Sequence, residues 1–308
     1  MKRNHAFLTL IFVLPFILYV PLRANPRVVT FEKNFSVDPS QPVYLEFRDE
    51  DGNFRFSSWE KDIVVIKVRK ETKEKNEKRA EKLLNDTKIK ISQNNNEIKI
   101  RIQYPKIKGI FFWLRDYRRV EVFTEVMLPL RSDVSCFIDD GSIYGEKING
   151  RVSANIDDGT IRLTDIQDSL KVKADDGRVL LNNIEGEVVV ETDDGDIELS
   201  GRISKLNLFT DDGDVNVRIA PHSSMGEDWK VVTDDGSVEF FLSEDFSAEL
   251  DIRTDGGDFT THIPLTLRDI SVKQKISGKI NQGGRLLIVK TDDGDVALRK
   301  LNGDDSIF

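Results

Sequence analysis

Apolar and polar residues alternate along most of this chain, and one acidic turn interrupts the alternation eight times between residues 139 and 294. The turn is Asp139-Asp140-Gly141 at first. It recurs as Asp-Asp-Gly ending at Gly159, Gly177, Gly195, Gly213 and Gly236, as the variant Asp255-Gly256-Gly257, and as Asp292-Asp293-Gly294. Counting from each glycine, apolar residues stand at minus seven and minus five, from Val134 and Cys136 through Trp229 and Val231 to Leu287 and Val289. They resume at plus two with Ile143, Ile161, Val179, Ile197, Val215, Val238, Phe259 and Val296. This period of two is the pattern of strands with one buried face, so each unit reads strand, turn, strand.

The first four intervals between turns are each 18 residues. An Asp-Gly pair between alternating runs is also a hairpin signal, and a series of hairpins would satisfy it. Hairpins have no reason to hold a constant length, whereas a solenoid must keep its coils equal so that equivalent residues stack. The spacing therefore predicts an all-β fold, a single-stranded β-helix or β-solenoid of about 18-residue coils. Val172 is expected over Ala154 and under Val190. Ile148 and Gly150, Ile184 and Gly186, and Leu301 and Gly303, at plus seven and plus nine, mark the return bend.

The same pattern extends toward the start. Leu45 and Phe47 precede Glu50-Asp51-Gly52, with Phe54 and Phe56 after it, a heavier first coil suited to one end of the stack. Strands are expected at 28–35, 62–68, 89–92, 97–103 and 120–128. A capping helix is expected near residues 69–86, where Lys and Glu abound and Gly and Pro are missing. Further on, the intervals lengthen to 23, 21 and 37 residues. The extra length of the first falls in 219–228, a candidate binding loop, and the 37-residue interval is read as hiding a degenerate coil centred on Ser277-Gly278.

Residues 1–24 stand apart as a basic start, an apolar run over 6–20 and a small residue at Ala24, the layout of a bacterial export signal or an uncleaved anchor. Residues 25–130 form an N-terminal β region with the helix, continuous with a repetitive region over 131–308. A formal charge of -9 excludes a general nucleic-acid binder, which needs a basic surface. Cys136 is the one cysteine, at a position that other coils fill with apolar residues, so no disulfide framework is available and it reads as core. The segment 109–119, Gly-Ile-Phe-Phe-Trp-Leu flanked by Arg115, Arg118 and Arg119, is a second candidate contact surface, or a loop that tucks its aromatics inward.

The aspartates pose the chemical question. Turn geometry explains much of Asp-Asp-Gly, since Gly supplies positive φ and Asp accepts backbone hydrogen bonds. Stacked like charges about 4.8 Å apart still repel, by roughly 0.9 kcal/mol per pair even in water. Several turns add a further acid at plus one: Asp196, Asp214, Asp258 and Asp295. A bound Ca²⁺ would relieve the repulsion, and a hydrated acidic edge that discourages aggregation is the alternative. A catalytic pair would need two carboxylates in distinct environments, but here they recur uniformly, and His222 and His262 are isolated. No residue is assigned as catalytic, cofactor-binding or metal-ligating, and no cofactor is expected beyond that calcium.

The turns, the strand Val126-Met127-Leu128-Pro129, the run Gly278 to Leu286 and the ending Thr291-Asp292-Asp293-Gly294-Asp295-Val296 together resemble the DUF4097 family of bacterial β-strand repeat proteins, which carries the label "putative adhesin". The doubled Asp is richer than the Ser-Gly or Asp-Gly of the family pattern. The resemblance implies an exported, envelope-associated β-helical protein and supplies no catalytic residues. The expectation is a non-catalytic adhesin or cell-envelope scaffold, in the periplasm or at the cell surface, with a protein or glycan ligand. A membrane-tethered sensor is the alternative, and a polysaccharide-active β-helix enzyme is the third reading.

Overall fold

The structure, a computed structural model, describes residues 27–105, 120–271 and 275–301. The export segment, the aromatic segment 109–119 and Gly303 lie outside them. The described strands are β1 (Val28–Ser36), β2 (Val43–Trp59), β3 (Ile63–Glu71), β4 (Lys88–Asn94), β5 (Glu97–Gln103), β6 (Glu121–Pro129), β7 (Ser132–Asn149), β8 (Val152–Asp194) and β9 (Ile197–Phe209). They continue with β10 (Val215–Ile219), β11 (Trp229–Val232), β12 (Val238–Leu242), β13 (Ala248–Thr254), β14 (Phe259–Thr261), β15 (Leu265–Ser271), β16 (Lys275–Ile280), β17 (Leu286–Thr291) and β18 (Val296–Lys300). With one helix, α1 (Glu77–Asp86), between β3 and β4, this is an all-β protein.

Long strands run straight through the acidic turns, and each pairs in parallel with the next unit. Cys136 of β7 faces Ala154 of β8, Gly141 faces Gly159, and Ile148 faces Ile166, an offset of 18 residues throughout. Val179 and Val190 of β8 face Ile197 and Leu208 of β9 in the same sense. The arm before a turn therefore pairs with the equivalent arm of the next unit, as equal unit lengths demand. The positions at minus seven, minus five and plus two are buried from Val134 to Val296, except that Phe259 is half-buried, and they join one continuous core.

β2 forms the first full unit, with Gly52 on Gly141 and Phe54 on Ile143. Phe47 and Phe54 stack with ring centroids 3.9 Å apart, filling this end with aromatic volume. Beyond β2, the first arm pairs with β5 and the second with β6, both in parallel. Antiparallel strands then finish each side, β4 on β5, β3 on β6 and β1 on β3.

The helix links these two sides. It is shorter than the composition over 69–86 implied, because Val68 and Lys70 are drawn into the β-ladder and β3 continues to Glu71. Asn76 then caps the helix by accepting the Arg79 amide at 3.1 Å. Ala80 and Leu84 turn inward, and the buried Lys70 ammonium donates to the carbonyls of Leu84 and Thr87 at the helix end.

The C-terminal region departs from the expected arrangement. β16 is antiparallel to both β13 and β15, so Ser277-Gly278 is not the centre of a degenerate coil. Gly278 faces Leu250 on one side and Leu267 on the other, where a side chain would crowd Leu267 and the Thr266 carbonyl. It is a strand glycine that permits close approach, and not a turn glycine. The chain then returns as β17 and β18, which lie between the two preceding units. β17 pairs in parallel with β11 and β13, and β18 with β12 and β14. The order of units in space is thus Gly236, Gly294, Gly257.

Candidate functional site

The acidic turns line up along one edge of the stack, and their spacing is set by backbone contact. A Cβ on Gly213 would overlap the Gly195 carbonyl, and one on Gly294 would overlap that of Gly236. Only glycine lets the rows close to strand spacing here. Immediately inside lies a row of buried threonines at minus three: Thr192, Thr210, Thr233, Thr291 and Thr254. The Thr233 hydroxyl is 3.3 Å from the carbonyl oxygens of Asp211 and Gly213, and Thr291 donates to the Gly236 carbonyl at 2.9 Å. Each threonine stitches its row to a neighbouring one. The signal for this row lies in the tetrad Thr-Asp-Asp-Gly, which occurs four times in the sequence, a pattern distinct from the apolar alternation.

The aspartates divide by role. At plus one, the carboxylate of Asp214 accepts the Ser237 amide at 2.9 Å, and Asp295 accepts that of Asp258 at 2.8 Å. These acids cap the following row. The doubled acids are mostly exposed, and the partial burial of the turn together with the stacked neighbours raises several carboxyls above their ordinary range. Desolvation and then Asp140 and Asp176 raise Asp158; desolvation and then Asp176 and Asp212 raise Asp194. Asp234 is raised by desolvation and then by Asp292 and Asp211, the rows on either side of it in space. The edge is a line of mutually repelling charge.

At the β2 end the threonine slot holds Asp49, which is only 4% exposed. Its Oδ1 accepts the amides of Glu50 and Asp51 at 2.8 and 3.3 Å, while Oδ2 has no hydrogen-bond partner among the described residues. Burial pushes this carboxyl up to about 7, against the opposing effect of Tyr104 and the two amides. Tyr104 is itself half-buried and donates to the Asp51 carbonyl.

The remaining candidates are separated. Cys136 is buried in the core, its thiol 3.7 Å from the Ser153 carbonyl and its pKa raised by burial. Residues 220–228 do form a loop between β10 and β11, with Met225 packed against the core and His222 exposed, its Nδ1 3.0 Å from Asp245 Oδ2. His262 lies beyond β14, its amide bonded to the Leu298 carbonyl. Among the described residues no three His, Cys, Asp or Glu side chains converge as a metal-ligand set. Nor is any described helix long and apolar enough to cross a membrane.

An all-β chain of stacked strand–turn–strand units with an acidic glycine edge defines a repeat-protein class. The Toastrack DUF4097 family model matches residues 44–299, and the chain belongs to that family. Among solved structures, it is similar to a "putative adhesin" from Bacteroides fragilis, with 12% identity, a TM-score of 0.42, and 88% of this chain and 97% of that one covered. It is also similar to a "putative cell adhesion protein" from Clostridium sporogenes, with 12% identity, a TM-score of 0.28, and 88% and 100% covered. A third similar structure is a "putative lipid binding protein" from Parabacteroides distasonis, with 11% identity, a TM-score of 0.26, and 90% and 98% covered. No curated protein matches the chain.

Proposed function

We propose that this protein is a non-catalytic, exported bacterial β-solenoid that presents its outer faces to a protein or glycan ligand of the cell envelope or surface. The uniformity of the turns carries this reading. The plus-one carboxylates of Asp196, Asp214 and Asp295 each hold a backbone amide of an adjacent row, and the doubled acids recur from turn to turn. Catalytic acid and base work requires two groups in contrasting environments. The parallel register of β7, β8 and β9 supports a solenoid, since every unit contributes the same row of outward residues. Membership in the Toastrack DUF4097 family accords with that reading.

The test is retention of fluorescently labelled protein on isolated bacterial envelopes. Saturable retention with no release of reducing sugar from envelope polysaccharide is expected. Retention no greater than that of an unrelated acidic protein would overturn the binding role, and polysaccharide cleavage would overturn the non-catalytic one. Secretion with a new terminus at Asn25 fits the exported form, whereas Met1 retained in the membrane fraction fits the tethered alternative. Calcium as counter-ion to the acidic edge belongs to the same proposal: a melting temperature raised by calcium but not by magnesium supports it, and equal effects of the two end it.

A further inference from the structure

Regular rows present flat outer faces. A hollow opens where the order of rows departs from the order of the chain. β15 and β16 fold back beside β13, and residues 281–285 lead from β16 into β17 across the same ground. The resulting hollow, about 460 Å³, is lined by Asp228, Glu249, Asp251, Arg268, Gly284 and Arg285, among others. Its size falls within the range of small-molecule sites.

The charges here are largely paired, with one pair of exceptions. A β-bulge between Leu267 and Asp269 interrupts the ladder at Arg268, whose Nη2 lies 2.9 Å from Glu249 Oε1. Arg253 Nη2 likewise lies 2.7 Å from Asp251 Oδ2. Asp228 is pinned through Oδ1, which accepts the Leu286 amide at 3.0 Å. Its second oxygen and the Arg285 guanidinium have no hydrogen bond or ion pair among the described residues. Gly284, which precedes Arg285 in the chain and also lines the hollow, has φ +135 and nothing within 4 Å of the place a Cβ would take, so the space beside it is open. One carboxylate oxygen and one guanidinium, both on the rim of an open hollow, offer complementary charge to a molecule with both signs.

We propose that this hollow binds a small zwitterion, an amino acid or the end of a short peptide. Asp228 Oδ2 takes the ammonium and Arg285 takes the carboxylate as a bidentate partner. The open space beside Gly284 leaves room for the short backbone of such a molecule. The site stands independently of any envelope-binding role, and its failure would leave that role untouched.

The experiment is calorimetric titration of the full chain with glycylglycine, N-acetylglycylglycine and glycylglycinamide. Saturable millimolar binding of glycylglycine is expected, with a loss of about tenfold or more for each blocked form. Arg285→Gln and Asp228→Asn should each weaken glycylglycine by a similar factor, while Arg299→Gln, on β18 outside the hollow, should leave it unchanged. Arg285 supports no strand contact through its side chain, so its variant remains informative if Asp228→Asn fails to fold. No saturable binding, equal binding of all three probes, or unchanged binding to Arg285→Gln would each overturn the proposal.

Discussion

Gly294 lies against Gly236 so closely that a Cβ on Gly294 would overlap the Gly236 carbonyl oxygen, although 58 residues separate the two in sequence. Gly257, which comes between them in the chain, lies on the far side of Gly294. The last described unit is therefore an insertion between two earlier ones, held on both sides by parallel pairing. Its placement produces the hollow, because β16 pairs with one edge of β13 and β17 with the other, so the connection between them must cross β13.

The glycine contact sets the first prediction. Gly213→Ala places a methyl against the Gly195 carbonyl in a row that is hydrogen-bonded on both sides, so the stack must part locally. Urea unfolding should show a loss of about 2 kcal/mol or more. Gly226→Ala, whose Cβ would meet its nearest atom at 3.4 Å in the loop 220–228, should cost far less.

The threonine row makes a separate contribution. Thr233→Val keeps the shape of the side chain and removes a hydroxyl that bridges two carbonyl oxygens. Chemical denaturation is expected to show a loss of about 1 kcal/mol, the net value of a buried hydrogen bond. A variant as stable as the parent would mean that the row works by packing alone.

Asp168 occupies the return bend at φ +109, in line with Gly186 at φ +115, whose would-be Cβ overlaps the Asp168 carbonyl. It is the position at plus nine where Gly150 and Gly186 stand in the neighbouring units. Asp168→Gly should relieve the strain of a side chain carried at positive φ and raise stability by about 1 kcal/mol. Thermal melting checks it, and a lower melting temperature would show that the carboxylate makes a compensating contribution.

Acidity should stabilise this protein across the mildly acidic range. Asp49 has a folded pKa of about 7 against an ordinary 3.8, and the exposed Asp158, Asp194 and Asp234 are also raised. Between the ordinary and the raised values the folded state binds more protons than the unfolded state, so stability falls as pH rises through that window. The contribution of Asp49 is fully present below about pH 3.8 and is lost as pH passes about 7. Asp251 and Glu244 act oppositely, since Arg253 and Lys300 lower them, and their stabilisation is lost toward the acid end. Melting temperature should therefore rise from pH 8 to about pH 5, and Asp49→Asn should flatten most of that slope. An Asp49→Asn profile identical to the parent would contradict the assignment.

The regular part of this fold could be read because its rules are local. Equal spacing from Gly141 to Gly213 and apolar residues at fixed distances dictate both the parallel register and the buried face, and Cys136 falls in the core by the same count. The row order at the C-terminal end was not readable. The alternation in Leu287, Val289 and Val296 fits any gap between parallel rows, and nothing in residues 257–294 records which gap stays open. Gly278 misled for a related reason, since a glycine between apolar residues marks a turn or a close strand contact equally well. The hollow depended on that order, so Asp228 and Arg285, far apart in sequence, gave no signal as a pair.

Row order itself can be measured directly by disulfide trapping in a Cys136→Ser background. Val232 and Lys290 face each other on adjacent parallel strands, while Arg253 faces Lys290 from the other side, two strands from Val232. Adjacent strands lie about 4.8 Å apart, within disulfide reach, and second neighbours lie about 9.6 Å apart, beyond it. Under mild oxidation Val232→Cys with Lys290→Cys should cross-link nearly completely, and Val232→Cys with Arg253→Cys should stay reduced. Cross-linking of the second pair without the first would place the units in chain order and contradict the inserted row.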